Sequence, residues 1–106
     1  MPTMDPNQDH EILLEVASEM TARYRESDWF NGIKGGFFGK SAILDILNQD
    51  ECVGIRYYYG LDPEEVPVLI LVGVTVDNRD MVNGKLAELS ITCPPTCDSE
   101  SSLAGE

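Results

Sequence analysis

The sequence predicts an α+β fold, with two helices packed on a small, mainly antiparallel β-sheet that contains a central hairpin. Three observations predict it. Apolar residues recur at steps of three and four near the start of the chain. They switch to strict alternation over Cys52–Gly60. One short turn later comes a run that is apolar on both faces.

The first helix is expected to start at Asp5, an N-cap acid followed by Pro6 at the first helical position. Leu13, Val16, Ala17, Met20 and Tyr24 form its apolar stripe, and Ile12 widens it. Asp5, Asp9 and Glu11 at the front and Arg23 and Arg25 at the back suit the helix dipole. Asn31-Gly32 and Gly35-Gly36 mark a loop that carries Trp29, Phe30 and Ile33. A second helix is expected over roughly Phe37–Gln49, apolar on more than one face and so well buried. In the strand "CVGIRYYYG", Val53, Ile55, Tyr57 and Tyr59 alternate with Cys52, Gly54, Arg56 and Tyr58. Pro63 and Pro67 bound the turn "LDPEEVP", and "VLILVGVTV" reads as a central strand covered on both sides. The link between the two strands is too short for a parallel crossover, so they pair antiparallel. "LAELSIT", with Ala87, Leu89 and Ile91 alternating against Glu88 and Ser90, is expected to be a third, edge strand, with a short helix as the competing reading. Residues 1–97 are read as a single globular domain, and residues 98–106 as an acidic, disordered tail.

The chain has 106 residues, 42% of them apolar and 25% charged, as in an ordinary soluble domain. Nineteen acids face seven bases, for a net charge of −12. That balance argues against nucleic acid, whose phosphates need clustered Lys and Arg, and against anionic membrane surfaces. The longest apolar stretch, Val66–Val76, is too short to span a bilayer as a helix, which takes about 20 residues. The N-terminal "MPTMDPNQDHE" lacks the basic start and apolar run of a signal peptide, so a cytoplasmic protein is expected. In that compartment the three cysteines are thiols or metal ligands by default.

Four patterns carry candidate chemistry. "GGFFGKS" (35–41) is one residue type short of a phosphate loop, because Lys34 stands where the first glycine must be. It reads as a glycine turn feeding a helix. Cys93 and Cys97 enclose Pro94-Pro95 and Thr96. The prolines forbid a helix through the pair and remove two N–H donors that a thiolate could use. The pair is therefore a chain-end structural feature, a redox couple, or part of a metal site. A zinc set would need Cys52 and the only histidine, His10, as well. A disulfide over so short a loop is expected to stand open in a reducing compartment. Arg56 sits mid-strand among tyrosines, on the face with Cys52 and Tyr58. It can bind an anion bidentately, lie over Tyr58, or pair with one of the many acids. Gly54 and Gly60 flank it and suggest close approach of another backbone. "DNRD" (77–80) lacks the ligand spacing of a calcium loop and reads as a solvated turn.

"GKSAILDILNQDECVGIRYYYGLD", "LILVGVTVDNRDM" and "CPPTC" together resemble a family of small, uncharacterised bacterial proteins of the Bacteroidetes group. The matching positions are Cys52, Gly54, Arg56, Tyr58, Tyr59, Gly60, Leu71, Val72, Gly73, Val74, Cys93, Pro94, Pro95 and Cys97. The likeness covers about Phe38–Cys97. Glu51 departs from it, standing where a glycine often precedes the cysteine, and so does the short acidic tail. The resemblance implies an architecture and no activity.

No serine, cysteine and histidine set suggests a catalytic triad, so the expectation leans away from an enzyme. The favoured function is a small cytoplasmic interaction or assembly module with a protein partner or homo-oligomer, contacting it through Arg56 and Tyr58. The alternatives are a thiol-redox or metal-binding protein using Cys93, Cys97 and Cys52, and a binder of small anions using Arg56. No cofactor is expected except zinc under the metal alternative.

Overall fold

The computed structural model of the chain describes residues 3–88 and 91–105. The element order is α1 (Leu14–Arg25), β1 (Gly35–Phe37), α2 (Lys40–Leu47), β2 (Gly54–Leu61), β3 (Pro67–Val74), β4 (Leu86–Ala87) and β5 (Ile91–Cys93). The fold is α+β, with two helices, two small antiparallel sheets and a central β2–β3 hairpin. The residues group into two compact units. One comprises Met1–Gln8 and Phe38–Ser90, the other Asp9–Phe37 and Ile91–Glu106.

The first unit is built on the three-stranded sheet β2-β3-β4. The register runs from Gly54 opposite Val74 to Leu61 opposite Pro67. β3 is apolar throughout, and its second half, Leu71–Val74, is buried on both faces. Leu71, Val72 and Val74 are buried on it, and Ile46 is buried on α2, which packs against all three strands. Each such side chain contributes roughly 1.5–3 kcal/mol. Pro67 fits this central strand because odd-numbered residues of β3 turn their backbone groups away from β2. Gly73 shows the direction, its carbonyl accepting from the Met81 N–H at 2.8 Å. Gln49 ties the end of α2 to the chain before β4. Its Nε2 donates to the Ile46 carbonyl at 2.8 Å, and its Oε1 accepts from the Lys85 N–H at 2.7 Å.

In the second unit β1 and β5 form a ribbon with Gly35 opposite Cys93 and Phe37 opposite Ile91. Residues 98–105, where composition predicts a disordered tail, run beside α1. Ser102 Oγ lies 2.7 Å from Ser18 Oγ, and Arg25 Nη1 donates to the Leu103 carbonyl at 2.8 Å.

Three expected elements differ from those observed. Asp5 caps a turn and not a helix. Its carboxylate accepts from the Asn7 N–H at 2.8 Å, and α1 begins only at Leu14. Phe37 belongs to β1, and the second helix starts at Lys40 with Gly39 as its extended N-cap. The "LAELSIT" segment divides between two sheets. Leu86 and Ala87 pair with β3, and Ile91–Cys93 pair with β1. Leu89 and Ser90 lie outside the described residues.

Candidate functional site

Arg56 projects from the β2 face that pairs with Val72 and reaches across β3 to the turn beyond it. Asp80 is held there by its bridge to Val74. Arg56 Nη1 donates to Asp80 Oδ1 at 2.6 Å, and Nη2 donates to Asn78 Oδ1. The Tyr58 hydroxyl donates to the other oxygen of Asp80. Met4 Sδ lies 3.9 Å from Arg56 Nη2. Asn78 sits at φ 68°, a left-handed conformation that asparagine tolerates, and this points its amide oxygen at the guanidinium.

The electrostatics follow from these contacts. The Tyr58 hydroxyl holds the Asp80 carboxyl below the ordinary carboxylate range; desolvation opposes it, and Arg56 adds to the lowering. The hydrogen bond to Asp80 raises Tyr58 above an ordinary phenol and Arg56 above an ordinary guanidinium. Arg56 and Tyr58 are thus brought together as the sequence suggested, through a carboxylate that sequence reasoning assigned to a solvated turn. An incoming anion would have to compete with Asp80 for the guanidinium. The usable signal was the lone arginine in an apolar hairpin, which calls for an acid one turn downstream.

Cys52 is not on the face of Arg56. A Cβ added at Gly73 would sit 3.0 Å from Cys52 Sγ, and Gly73 pairs with Ile55 on the opposite face. The cause is a bulge. The Val53 N–H donates to the Val74 carbonyl at 2.8 Å, although Val74 is already the partner of Gly54. Two residues of β2 thus oppose one of β3, and the alternation reverses between Cys52 and Gly54. The Cys52 thiol lies 3.3 Å from the Gly54 carbonyl.

Cys93 and Cys97 are joined in a disulfide, with Cα atoms 4.8 Å apart. The expected open pair is closed because the Thr96 N–H donates to the Thr92 carbonyl at 3.1 Å, a turn that brings the two residues within disulfide range. Both peptides into Pro94 and Pro95 are cis. Among the described residues no group of three His, Cys, Asp or Glu side chains is placed to hold a metal ion.

The outer edge of β2 is the remaining feature. The Asp62 N–H bonds the Val66 carbonyl, and the Gly73 carbonyl accepts from the Met81 N–H on the side of β3 away from β2, so even-numbered residues of β2 bond β3. Ile55, Tyr57 and Leu61 therefore turn their N–H and C=O groups outward. Among the described residues no strand pairs with that edge. The odd face is covered near Gly73 and opens further along, where Tyr57, Tyr59 and Leu61 are 56%, 82% and 65% exposed. The rings of Tyr57 and Tyr59 meet edge-to-face with centroids 5.7 Å apart.

Comparison with known protein families, curated proteins and solved structures finds no match to this chain. Among the described residues no helix is long and apolar enough to cross a membrane.

Proposed function

We propose that the protein is a non-enzymatic interaction module that receives another polypeptide as an added strand on the outer edge of β2. The edge itself carries the proposal. Sheet proteins normally blunt a long edge strand with lysine, proline, a bulge or an inward-pointing charge. β2 is an eight-residue edge strand with no Lys or Pro; its bulge lies at the very start, at Val53 and Gly54, and its one charge, Arg56, is turned to the other face and held by Asp80. Outward backbone groups supply affinity in strand addition, and the exposed Tyr57–Leu61 face offers alternate side-chain contacts. Arg56 and Tyr58, the contact candidates chosen from sequence, then brace the strand from behind. A cytoplasmic setting is part of the proposal, and the Cys93–Cys97 bond is the observation that weighs against it.

Native mass spectrometry of protein isolated from its own cells, without reductant or chelator, tests this. The expected result is a second polypeptide, of this or another kind, on the intact chain. A bare single chain under conditions that preserve weak complexes would sink it.

A second reading is favoured by one observation, the closed Cys93–Cys97 pair. An external thiolate attacks one sulfur, a second thiol resolves the mixed disulfide, and Cys93 and Cys97 leave as two thiols while the donor pair is oxidised. If Cys93→Ser and Cys97→Ser leave thiol exchange with glutathione unchanged, this reading fails.

A further inference from the structure

We infer that the strand received by β2 is a basic, extended segment of a different protein, and not a second copy of this chain. This inference rests on the strand-addition reading and specifies its partner. The outer edge of β2 has an uncharged centre and acidic ends. Asp50 and Glu51 precede it, and Asp62, Glu64 and Glu65 follow it. All except the half-buried Asp62 are exposed. At about 3.4 Å per residue the eight residues of β2 put roughly 25–30 Å of strand between the two groups. An added strand spanning β2 therefore places its two ends beside carboxylates and its middle beside Tyr57, Tyr59 and Leu61. The fitting partner has Lys or Arg at both ends and apolar side chains at alternate central positions.

A second copy fits badly for the same reason. A two-fold antiparallel pairing about Tyr57 brings the turn at Asp50 and Glu51 of one copy toward the turn at Glu64 and Glu65 of the other. The acids then approach one another at both ends of the ribbon. Each chain also carries a net charge of −12, so the approach of two copies is repulsive over the whole surface. Arg56 cannot offset this, because it faces the other way and is paired with Asp80.

The test is selection from a random peptide library, long enough to span β2, on the intact purified chain. The expected winners are proline-free at the centre, apolar at alternate positions, and basic at both ends. A synthetic winner should bind about tenfold more weakly to the Glu64→Lys/Glu65→Lys variant, as expected for two exposed charge reversals. Tyr57→Pro should abolish binding, since it removes an outward N–H without breaking the β2–β3 ladder. The charge variant keeps the test decisive if Tyr57→Pro does not fold. Neutral or acidic winners, no winners, or binding indifferent to the charge variant would overturn the inference while leaving the module reading to native mass spectrometry. A dimer in sedimentation that Tyr57→Pro dissociates would also overturn it, and would make the second copy the occupant.

Discussion

Replacing Gly73 with alanine probes how the hairpin is read. Gly73 is buried near the C-terminal end of β3, and its added Cβ would lie 3.0 Å from Cys52 Sγ, 3.0 Å from Gln49 Nε2 and 3.2 Å from Met81 Sδ. Ordinary contacts are several tenths of an ångström longer, so three neighbours must give way. Two resist. Gln49 Nε2 is bonded to the Ile46 carbonyl, and the Cys52 thiol is held at the Gly54 carbonyl. Overpacking of this kind costs roughly 1–3 kcal/mol, and losing the backbone freedom of glycine returns about 0.5–1 kcal/mol. The net expectation for Gly73→Ala is a loss of about 0.5–2 kcal/mol. In a Cys52→Ala background one of the three contacts disappears, so the loss should shrink by at least about 0.5 kcal/mol, a clear coupling between neighbours. Arg56→Met, on the other face, should combine additively with Gly73→Ala. The assay is urea unfolding followed by far-UV circular dichroism. If Gly73→Ala stabilises the protein, or is additive with Cys52→Ala, then Cys52 does not share the face of Gly73 and the bulge is wrongly placed.

Asp80 has a lowered folded-state pKa, so its contribution is complete above the unfolded value of about 3.9 and is lost as pH falls through the folded value. Stability should therefore fall more steeply with acid in the wild type than in Asp80→Asn, by no more than about 1 kcal/mol for a half-buried pair open to solvent screening; parallel pH profiles would contradict it. Gln49→Ala breaks the bond to the Ile46 carbonyl at the end of α2 and the bond from the Lys85 N–H, and should cost about 1–2 kcal/mol in urea unfolding; a neutral substitution would show that those bonds carry no net stability. Alkylation of the denatured, unreduced protein should label Cys52 alone, and all three cysteines after reduction. Three labels before reduction would mean that Cys93 and Cys97 are not bonded.

The hairpin was legible because alternation and a doubly apolar run are strong local signals, and its observed limits lie within a few residues of the expected ones. Cys52 went to the wrong face because a bulge is set by one extra backbone hydrogen bond, which leaves no mark in the pattern of side chains. Asp5-Pro6 carries the chemistry of a helix start, but the same carboxylate caps an isolated turn equally well. Phe37 lost its helix to pairing with Ile91, a partner more than fifty residues away that no local pattern reveals. Asp80 was hidden for the same reason. Its role depends on the turn after β3 folding back along that strand and so facing Arg56.

Residue-resolved amide exchange on β2 tests the central claim most directly. In the free protein the N–H groups of Ile55 and Tyr57 should exchange fast, while those of Arg56 and Tyr58, bonded to β3, exchange slowly. On addition of a basic peptide selected on the chain, Ile55 and Tyr57 should become protected. Uniform protection along β2 in the free protein, or a peptide that protects residues elsewhere and leaves Ile55 and Tyr57 unchanged, would show that the outer edge of β2 is not the receiving surface.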